Sequence, residues 1–180
     1  MPELWELYDG DKRPTGKTML RGQSVPEGYW HIVVGIWTIT ADGRLLLTCR
    51  HPDKPWGLQW ENTGGSVLAG EDSLHGALRE LREETGLEAE PERFRLISSE
   101  KADRFFFDNY LYLCPECEPK LTLQPEEVVD ACFIELREID SWKDRLCPPA
   151  LERWERNRGE IEEAAAQCRL SLDKDRDKNT

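Results

Sequence analysis

Length, composition and charge narrow the classes of protein to consider. The chain has 180 residues, enough for one domain with a sizeable core, and a formal net charge of −12 at pH 7. This acidity argues against a protein that binds duplex nucleic acid, because such proteins neutralise the phosphates with lysine and arginine. No long apolar run, leader or lipidation signal is present, so we expect a soluble, cytoplasmic protein without a membrane partner.

The six cysteines are scattered along the chain, several of them within apolar patterns. This distribution predicts buried free thiols in a reducing compartment. Cys114 and Cys117 form one C-x-x-C pair, but a structural zinc site normally needs a second pair, which the sequence lacks. We therefore expect no zinc there.

Strand signals dominate the first third of the chain. Runs rich in β-branched and aromatic residues predict strands at 4–8, 31–40, 44–49 and 60–63, with 12–19 as a hairpin partner of the first. Asp42-Gly43 predicts a tight turn between the second and third runs. Residues 50–58 contain two prolines and Trp56, which predicts an irregular segment.

The last part of the chain contains further strand signals and a second predicted helix. Strands are predicted at 94–100, 104–113 and 128–136, with a helical turn at 139–142. Pro148-Pro149 predicts the start of a final helix that runs through Trp154 to Cys168. The charged residues 169–180 predict a disordered tail. Strands that alternate with two helices indicate the α/β class.

The first of these helices lies within the stretch 65–87. Leu74, Leu78 and Leu81 recur at helical spacing and predict a loop that leads into an amphipathic helix. Asp72 or Ser73 is a suitable N-cap, and Gly86 is placed for a left-handed C-terminal cap. The leucines then define the core face of the helix.

Glu80, Glu83 and Glu84 follow one another at i, i+3 and i+4, so they share one side of this helix, on the outer face away from the leucines. Like charges at this spacing destabilise a helix by about 0.2–0.5 kcal/mol per pair. A hard divalent cation such as Mg²⁺ removes that penalty, since it binds carboxylate oxygens and keeps sites for phosphate and water. The alternative is an ordinary solvated face.

The stretch resembles the Nudix box, written G-x5-E-x7-R-E-U-x-E-E-x-G-U with U aliphatic. It matches at every specified position, from Gly65 and Glu71 to Leu87. The resemblance implies a Nudix-type α/β/α sandwich around a mixed β-sheet, here spanning 1–168 with an amino-terminal hairpin. The amino-terminal half also looks similar to the Nudix branch that includes isopentenyl diphosphate isomerases.

The same resemblance implies roles for the box residues. Glu80, Glu83, Glu84 and the Gly65 carbonyl would hold Mg²⁺, with Mn²⁺ as a substitute. Arg79 would orient a box glutamate, for which Glu71 is the best-placed candidate. The general base would be Glu80 or, as in relatives that use a distant loop, Glu127.

Substrate contacts are less marked in the sequence. Lys54 is a candidate for phosphate binding, while Trp56 and Phe105 are candidates for stacking on a base or lining an apolar pocket. Each could equally be an ordinary surface or core residue. His31 could likewise be a structural histidine.

Three functions follow. The first is an Mg²⁺-dependent hydrolase that cleaves a diphosphate linkage in a nucleoside diphosphate derivative or related organic pyrophosphate. Its partner would then be a small-molecule substrate. The second is an isomerase; that branch has cysteine and histidine around the first box glycine, whereas this chain has Gly64 and Ser66. The third is a non-catalytic binding module, although such modules usually lose box glutamates. A homodimer is common in the family, and no segment specifies one.

Overall fold

Runs of β-branched and aromatic residues form strands in the computed structural model, which describes residues 3–178. The strands are β1 (Leu4–Tyr8), β2 (Pro14–Leu20), β3 (His31–Ile39), β4 (Arg44–Arg50), β5 (Trp60–Glu61), β6 (Thr63–Ser66), β7 (Phe94–Lys101), β8 (Phe105–Leu113) and β9 (Val128–Glu135). The helices are α1 (Ser73–Thr85) and α2 (Pro148–Lys178), with 3-10 turns at Pro91–Arg93 and Leu136–Trp142.

The central strand of the sheet is β3, in the main strand order β5-β4-β3-β8-β7. It pairs in parallel with β8 and antiparallel with β4 and β6. β9 pairs with β4, while β1 and β2 form a separate antiparallel hairpin. The mixed sheet and the amino-terminal hairpin predicted from the sequence are both present.

Two hydrophobic cores lie on opposite faces of this sheet, because successive side chains of a strand alternate between its faces. Ile36 belongs to one core together with Ala77 and Leu81 of α1. The next residue, Trp37, belongs to the other core and packs edge-on against Trp154 of α2, with ring centroids 5.8 Å apart. A helix therefore covers each face, which confirms the α/β/α sandwich.

The predicted strand at 60–63 is wrong in its extent. The chain instead forms two short strands separated at Asn62: β5 pairs with β4, and β6 pairs with β3. The first residues of the box, Gly65 and Ser66, thus belong to a strand and not to a loop. The chain thus changes its pairing partner from β4 to β3, which places the start of the box beside the central strand. A local sequence pattern does not encode such a change.

The final helix is longer than predicted. It continues past Cys168 to Lys178, so the expected irregular tail does not begin at Arg169. The Arg169 guanidinium donates to the Gly43 carbonyl at 3.0 Å and pairs with Glu135 at 2.8 Å, which ties this part of the helix to the β3–β4 turn and β9. Residues 179–180 lie outside the described part. Neither described helix is apolar enough over a sufficient length to cross a membrane.

Candidate active site

The box helix has both predicted caps. The Asp72 carboxylate accepts a hydrogen bond from the His75 amide at 2.8 Å, which satisfies a free donor of the first turn. Gly86 adopts a left-handed conformation with φ of 73° and donates its amide to the Arg82 carbonyl. The two caps fix where α1 begins and ends, and hence the positions of its glutamates.

The predicted core face of α1 needs correction. The row that enters the core is Ala77, Leu81 and Thr85, whereas Leu74 and Leu78 are only partly buried. Glu84, expected on the outer face, is 3% exposed and accepts a hydrogen bond from the Gly64 amide at 3.3 Å. The reason is that β6 packs beside α1 and covers the side of the helix next to Leu81.

Arg79 connects the acidic residues of the box. Its Nε and Nη2 atoms donate to the two oxygens of Glu71 at 2.8 and 3.1 Å, so the predicted ion pair is present and bidentate. Its Nη1 atom contacts Glu80 and Glu83, each at 2.9 Å, and Nη2 also reaches the Ser66 carbonyl at 2.9 Å. One guanidinium thus links the loop, the strand and the helix of the box.

Two glycines allow β6 to approach its neighbours closely. A Cβ atom on Gly65 would lie 2.3 Å from the Cδ and Oε1 atoms of Glu80, and one on Gly64 would lie 2.3 Å from the Val34 carbonyl oxygen. The Val34 backbone leaves no room for a side chain at position 64, whereas a side chain at position 65 would force the Glu80 carboxylate to move. The backbone of Gly65 therefore lies directly against the Glu80 carboxylate.

A small polar cavity of about 60 Å³ lies where these elements meet. Its lining includes every residue predicted to bind metal, namely Gly65, Glu80, Glu83 and Glu84. Glu127, which precedes β9 and lies far along the chain, lines the same cavity and forms an ion pair with Lys54. The fold thus brings the predicted ligands and both candidate bases together.

Burial disfavours the charged forms of two box glutamates. It is the main cause that raises the pKa of Glu84 well above its usual value, and the nearby carboxylates of Glu61 and Glu80 add to the effect. Burial likewise raises the pKa of Glu80, against an opposing effect of Arg79. A cation among these groups would offset the cost of burying and crowding them.

The donor set suits a hard cation, although the side chains are not gathered into a finished ligand shell. Among the side chains that the structure describes, no group of three acidic, histidine or cysteine residues converges closely enough to hold an ion. The Arg79 contacts use one oxygen each of Glu80 and Glu83 and leave the other oxygen of each without a described partner. Small rotations of these two side chains would supply carboxylate oxygens to the cavity.

A much larger cavity of about 620 Å³ adjoins the small one, and the two share Arg21, Lys54 and the backbone of 64–66 as lining. All three residues predicted to contact substrate, Lys54, Trp56 and Phe105, line it. Trp56 is 49% exposed at the mouth. The two cavities are therefore neighbours that share part of their walls.

Several lining residues were missed by sequence reasoning. They are Trp5, Arg21, Asn62 and Arg153, which come from the hairpin, the β5–β6 break and α2. His31, left open above, also lines the cavity and stacks on Trp5 with ring centroids 4.1 Å apart. Burial lowers the pKa of His31 to about 4. No local motif marks these positions, because only the tertiary fold brings them together.

Comparisons with known proteins identify the fold and the family. A crystal structure of DR0079 from Deinococcus radiodurans superimposes with a TM-score of 0.69 at 18% identity, covering 86% of this chain and 98% of that one. A bifunctional NMN adenylyltransferase/ADP ribose pyrophosphatase from Francisella tularensis, complexed with AMP and a Mn ion, gives a TM-score of 0.60 at 19% identity. That match covers 72% of this chain and 41% of that one.

Sequence comparison covers most of the chain. A family model described as NUDIX domain matches residues 29–156. An uncharacterised Nudix hydrolase of Listeria monocytogenes is 34% identical over 142 residues, which cover 77% of this chain and 83% of the relative. The chain therefore belongs to the Nudix hydrolase family.

Proposed function

We propose that this protein is an Mg²⁺-dependent pyrophosphohydrolase that cleaves a diphosphate linkage in a nucleoside diphosphate derivative or a related organic pyrophosphate. The observation that carries the proposal is that the glutamate-lined cavity adjoins the larger one, with Lys54 and residues 64–66 in the lining of both. A diphosphate beside the glutamates would extend its organic group into the larger, aromatic space.

Glu80, Glu83, Glu84 and the carbonyl of Gly65 would hold the ion, for which Mg²⁺ is the expected metal and Mn²⁺ a substitute. When bound, the metal neutralises phosphoryl charge and lowers the pKa of a coordinated water. Arg79 would orient Glu80 and Glu83 through its fixed position on Glu71. Lys54 would contact the anionic substrate at the boundary of the two cavities.

Glu127 is our preferred general base. It lines the small cavity from outside the box, whereas Glu80 is already engaged by Arg79 and needed as a ligand. Its partner Lys54 would orient the Glu127 carboxylate, so that it could accept a proton from the attacking water. Trp56 and Phe105 would contact the organic group of the substrate.

The comparisons support this substrate class without specifying a compound. The related fold from Francisella tularensis is described as an ADP ribose pyrophosphatase with AMP and a Mn ion. The six cysteines of the present chain are free thiols, which suits a reducing cytoplasmic location. The net charge of −12 suits a small soluble nucleotide as the partner rather than a nucleic-acid duplex.

The two other functions are less well supported. Gly64 and Ser66 stand where the isomerase branch has its cysteine and histidine, so the expected groups for proton transfer are missing at those positions. A binding module has no need of the box glutamates, whereas this chain retains all of them around one cavity.

The proposal is tested by incubating the protein with sugar nucleotides, dinucleotides, ADP-ribose and coenzyme A in Mg²⁺ and measuring monophosphate release. At least one compound should be hydrolysed, and EDTA should stop the reaction. Glu83→Gln should reduce turnover below detection with an unchanged fold, because it removes a ligand charge but keeps the side-chain shape.

The exposed Glu88, just beyond α1, provides the control. Glu88→Gln should retain full turnover. Full activity of Glu83→Gln, or hydrolysis unaffected by the chelator, would contradict the proposal. Binding without any release of phosphate would favour the binding module.

A further inference from the structure

Buried polar atoms without hydrogen-bond partners are concentrated around the larger cavity. Ten such side-chain atoms occur in the described residues, and five of them belong to residues that line this cavity: Trp5, His31, Asn62, Thr63 and Arg153. Buried polar groups in folded proteins are normally paired, so each exception requires an explanation. Their grouping indicates that part of this cavity is built for a polar ligand group.

Arg153 is the charged member of this group. Its guanidinium lies 4.4 Å from the centroid of the Phe107 ring, a stacking arrangement that holds the planar group in place. Its Nε atom is buried without a partner. Burial also lowers the pKa of Arg153, since a cation is unfavourable in a desolvated position.

The other cations that line the cavity already have acidic partners. Arg50 pairs with Glu61, Lys54 with Glu127 and Arg21 with Glu3. Arg153 forms no ion pair with any acid in the described part of the chain, and the nearby Glu61 is engaged by Arg50 and the Cys147 thiol. The charge of the Arg153 guanidinium is therefore not neutralised by an acid at this wall.

The start of α2 adds to this positive character. Cys147 and Pro149 flank the first residue of the helix and line the same cavity, so the positive end of the helix dipole lies at its wall. The shared backbone of 64–66, by contrast, forms the boundary with the glutamate cavity.

We propose that Arg153 binds a further anionic group of the substrate, a carboxylate or a phosphomonoester, at a distance from the diphosphate that is cleaved. The guanidinium fork matches either group with two parallel hydrogen bonds, and neutralisation would offset the cost of its burial. This proposal rests on the proposed function, and it narrows the substrate class to organic diphosphates with an additional negative charge. Arg153 would determine specificity and take no part in the bond cleavage.

The test compares pairs of compounds that differ in one anionic group. UDP-glucuronate and UDP-glucose differ by a carboxylate, while NADPH and NADH differ by a phosphomonoester. Dissociation constants are measured by calorimetry on the wild-type protein in EDTA, so that the readout does not depend on turnover. We expect the charged member of at least one pair to bind about tenfold more tightly, and the responding pair identifies the anion.

Arg153→Gln should reduce that ratio to about one, and Arg153→Lys should retain part of it because it keeps the charge but loses the fork. A purely structural role would weaken both members equally and leave the ratio unchanged. Arg156, exposed on the same helix and paired with Glu100 and Glu152, provides the control, and Arg156→Gln should preserve the ratio.

Equal wild-type affinity within both pairs, or no binding of any of the four compounds, would overturn the proposal. So would an unchanged ratio in a folded Arg153→Gln protein. Thermal melting verifies folding, and Arg153→Lys provides the decisive comparison if the glutamine variant does not fold. Hydrolysis of the same four compounds in Mg²⁺ is scored separately, so failure of the proposed function remains distinguishable.

Discussion

The two adjoining cavities differ in how the chain builds them. The small one takes most of its acids from a single helix, where Glu80, Glu83 and Glu84 follow at fixed spacing. The larger one is assembled from the hairpin, β3, the 50–58 segment, β8 and α2. The proposed metal ligands are thus encoded locally, whereas the proposed base Glu127 and the proposed substrate contacts depend on the meeting of distant segments. The predictions below separate these two contributions.

Glu127→Gln should have the largest effect outside the metal ligands, because it removes the proposed base at the small cavity. We expect kcat to fall by about 10²–10⁴-fold with little change in KM. The adjacent Glu126→Gln, at an exposed position, is the matched control and should be nearly neutral. Steady-state kinetics at saturating Mg²⁺ measures both. An undiminished kcat for Glu127→Gln would transfer the role of base to Glu80.

The buried His31 in the larger cavity should make stability depend on pH. Burial lowers the pKa of His31 to about 4, below the unfolded value of about 6.5, so the folded protein keeps the ring neutral. The associated stability is fully present above pH 6.5 and is lost as the pH falls through 4, by about 3 kcal/mol in total.

Urea denaturation of the wild type and His31→Gln between pH 7 and pH 4 measures this loss as the difference between the two proteins. Parallel pH dependence of His31→Gln and the wild type would show that His31 does not titrate as the burial predicts.

Gly65→Ala should disturb the small cavity without changing its charges. The new Cβ would lie 2.3 Å from the Glu80 carboxyl carbon, so that side chain must move. Misplacement by about 1 Å costs on the order of 100-fold in activity. Gly159→Ala, in open space on α2, should instead stabilise the protein by about 0.5–1 kcal/mol with unchanged activity. Normal activity of Gly65→Ala would show that the close packing is dispensable.

Trp56→Ala should have the smallest effect and should appear mainly in KM. An aromatic contact contributes about 0.5–1.5 kcal/mol, which corresponds to about a 2- to 10-fold rise in KM. Leu58 is also exposed, has a similar positive φ and lies outside the cavity lining, so Leu58→Ala should leave KM unchanged. Equal effects of the two variants would remove Trp56 from the proposed substrate contacts.

The sequence predicted most of what depends on neighbouring residues. The caps at Asp72 and Gly86, the Arg79–Glu71 pair and the grouping of the box acids are all present. Each follows from spacing along one helix or from a family motif that spans 23 residues. The α/β class was predictable from the order of strands and helices, and the mixed sheet with a helix on each face was implied by the resemblance to the Nudix family.

Features that depend on tertiary contacts were not predictable. The burial of Glu84 requires β6 beside α1, and the split at Asn62 requires two different partner strands. The extension of α2 depends on contacts of Arg169 with the β3–β4 turn and β9. Arg153 gave no sequence signal, because a lone arginine on a helix becomes informative only when its surroundings are known.

The most direct test of the central claim is metal binding by the box glutamates. Titration of Mn²⁺ into the protein, followed by electron paramagnetic resonance, counts bound ions without any substrate. We predict at least one bound Mn²⁺ that competes with Mg²⁺ in the wild type, and an affinity reduced at least tenfold in Glu83→Gln. Equal binding by the wild type and Glu83→Gln, or no binding by either, would contradict the account.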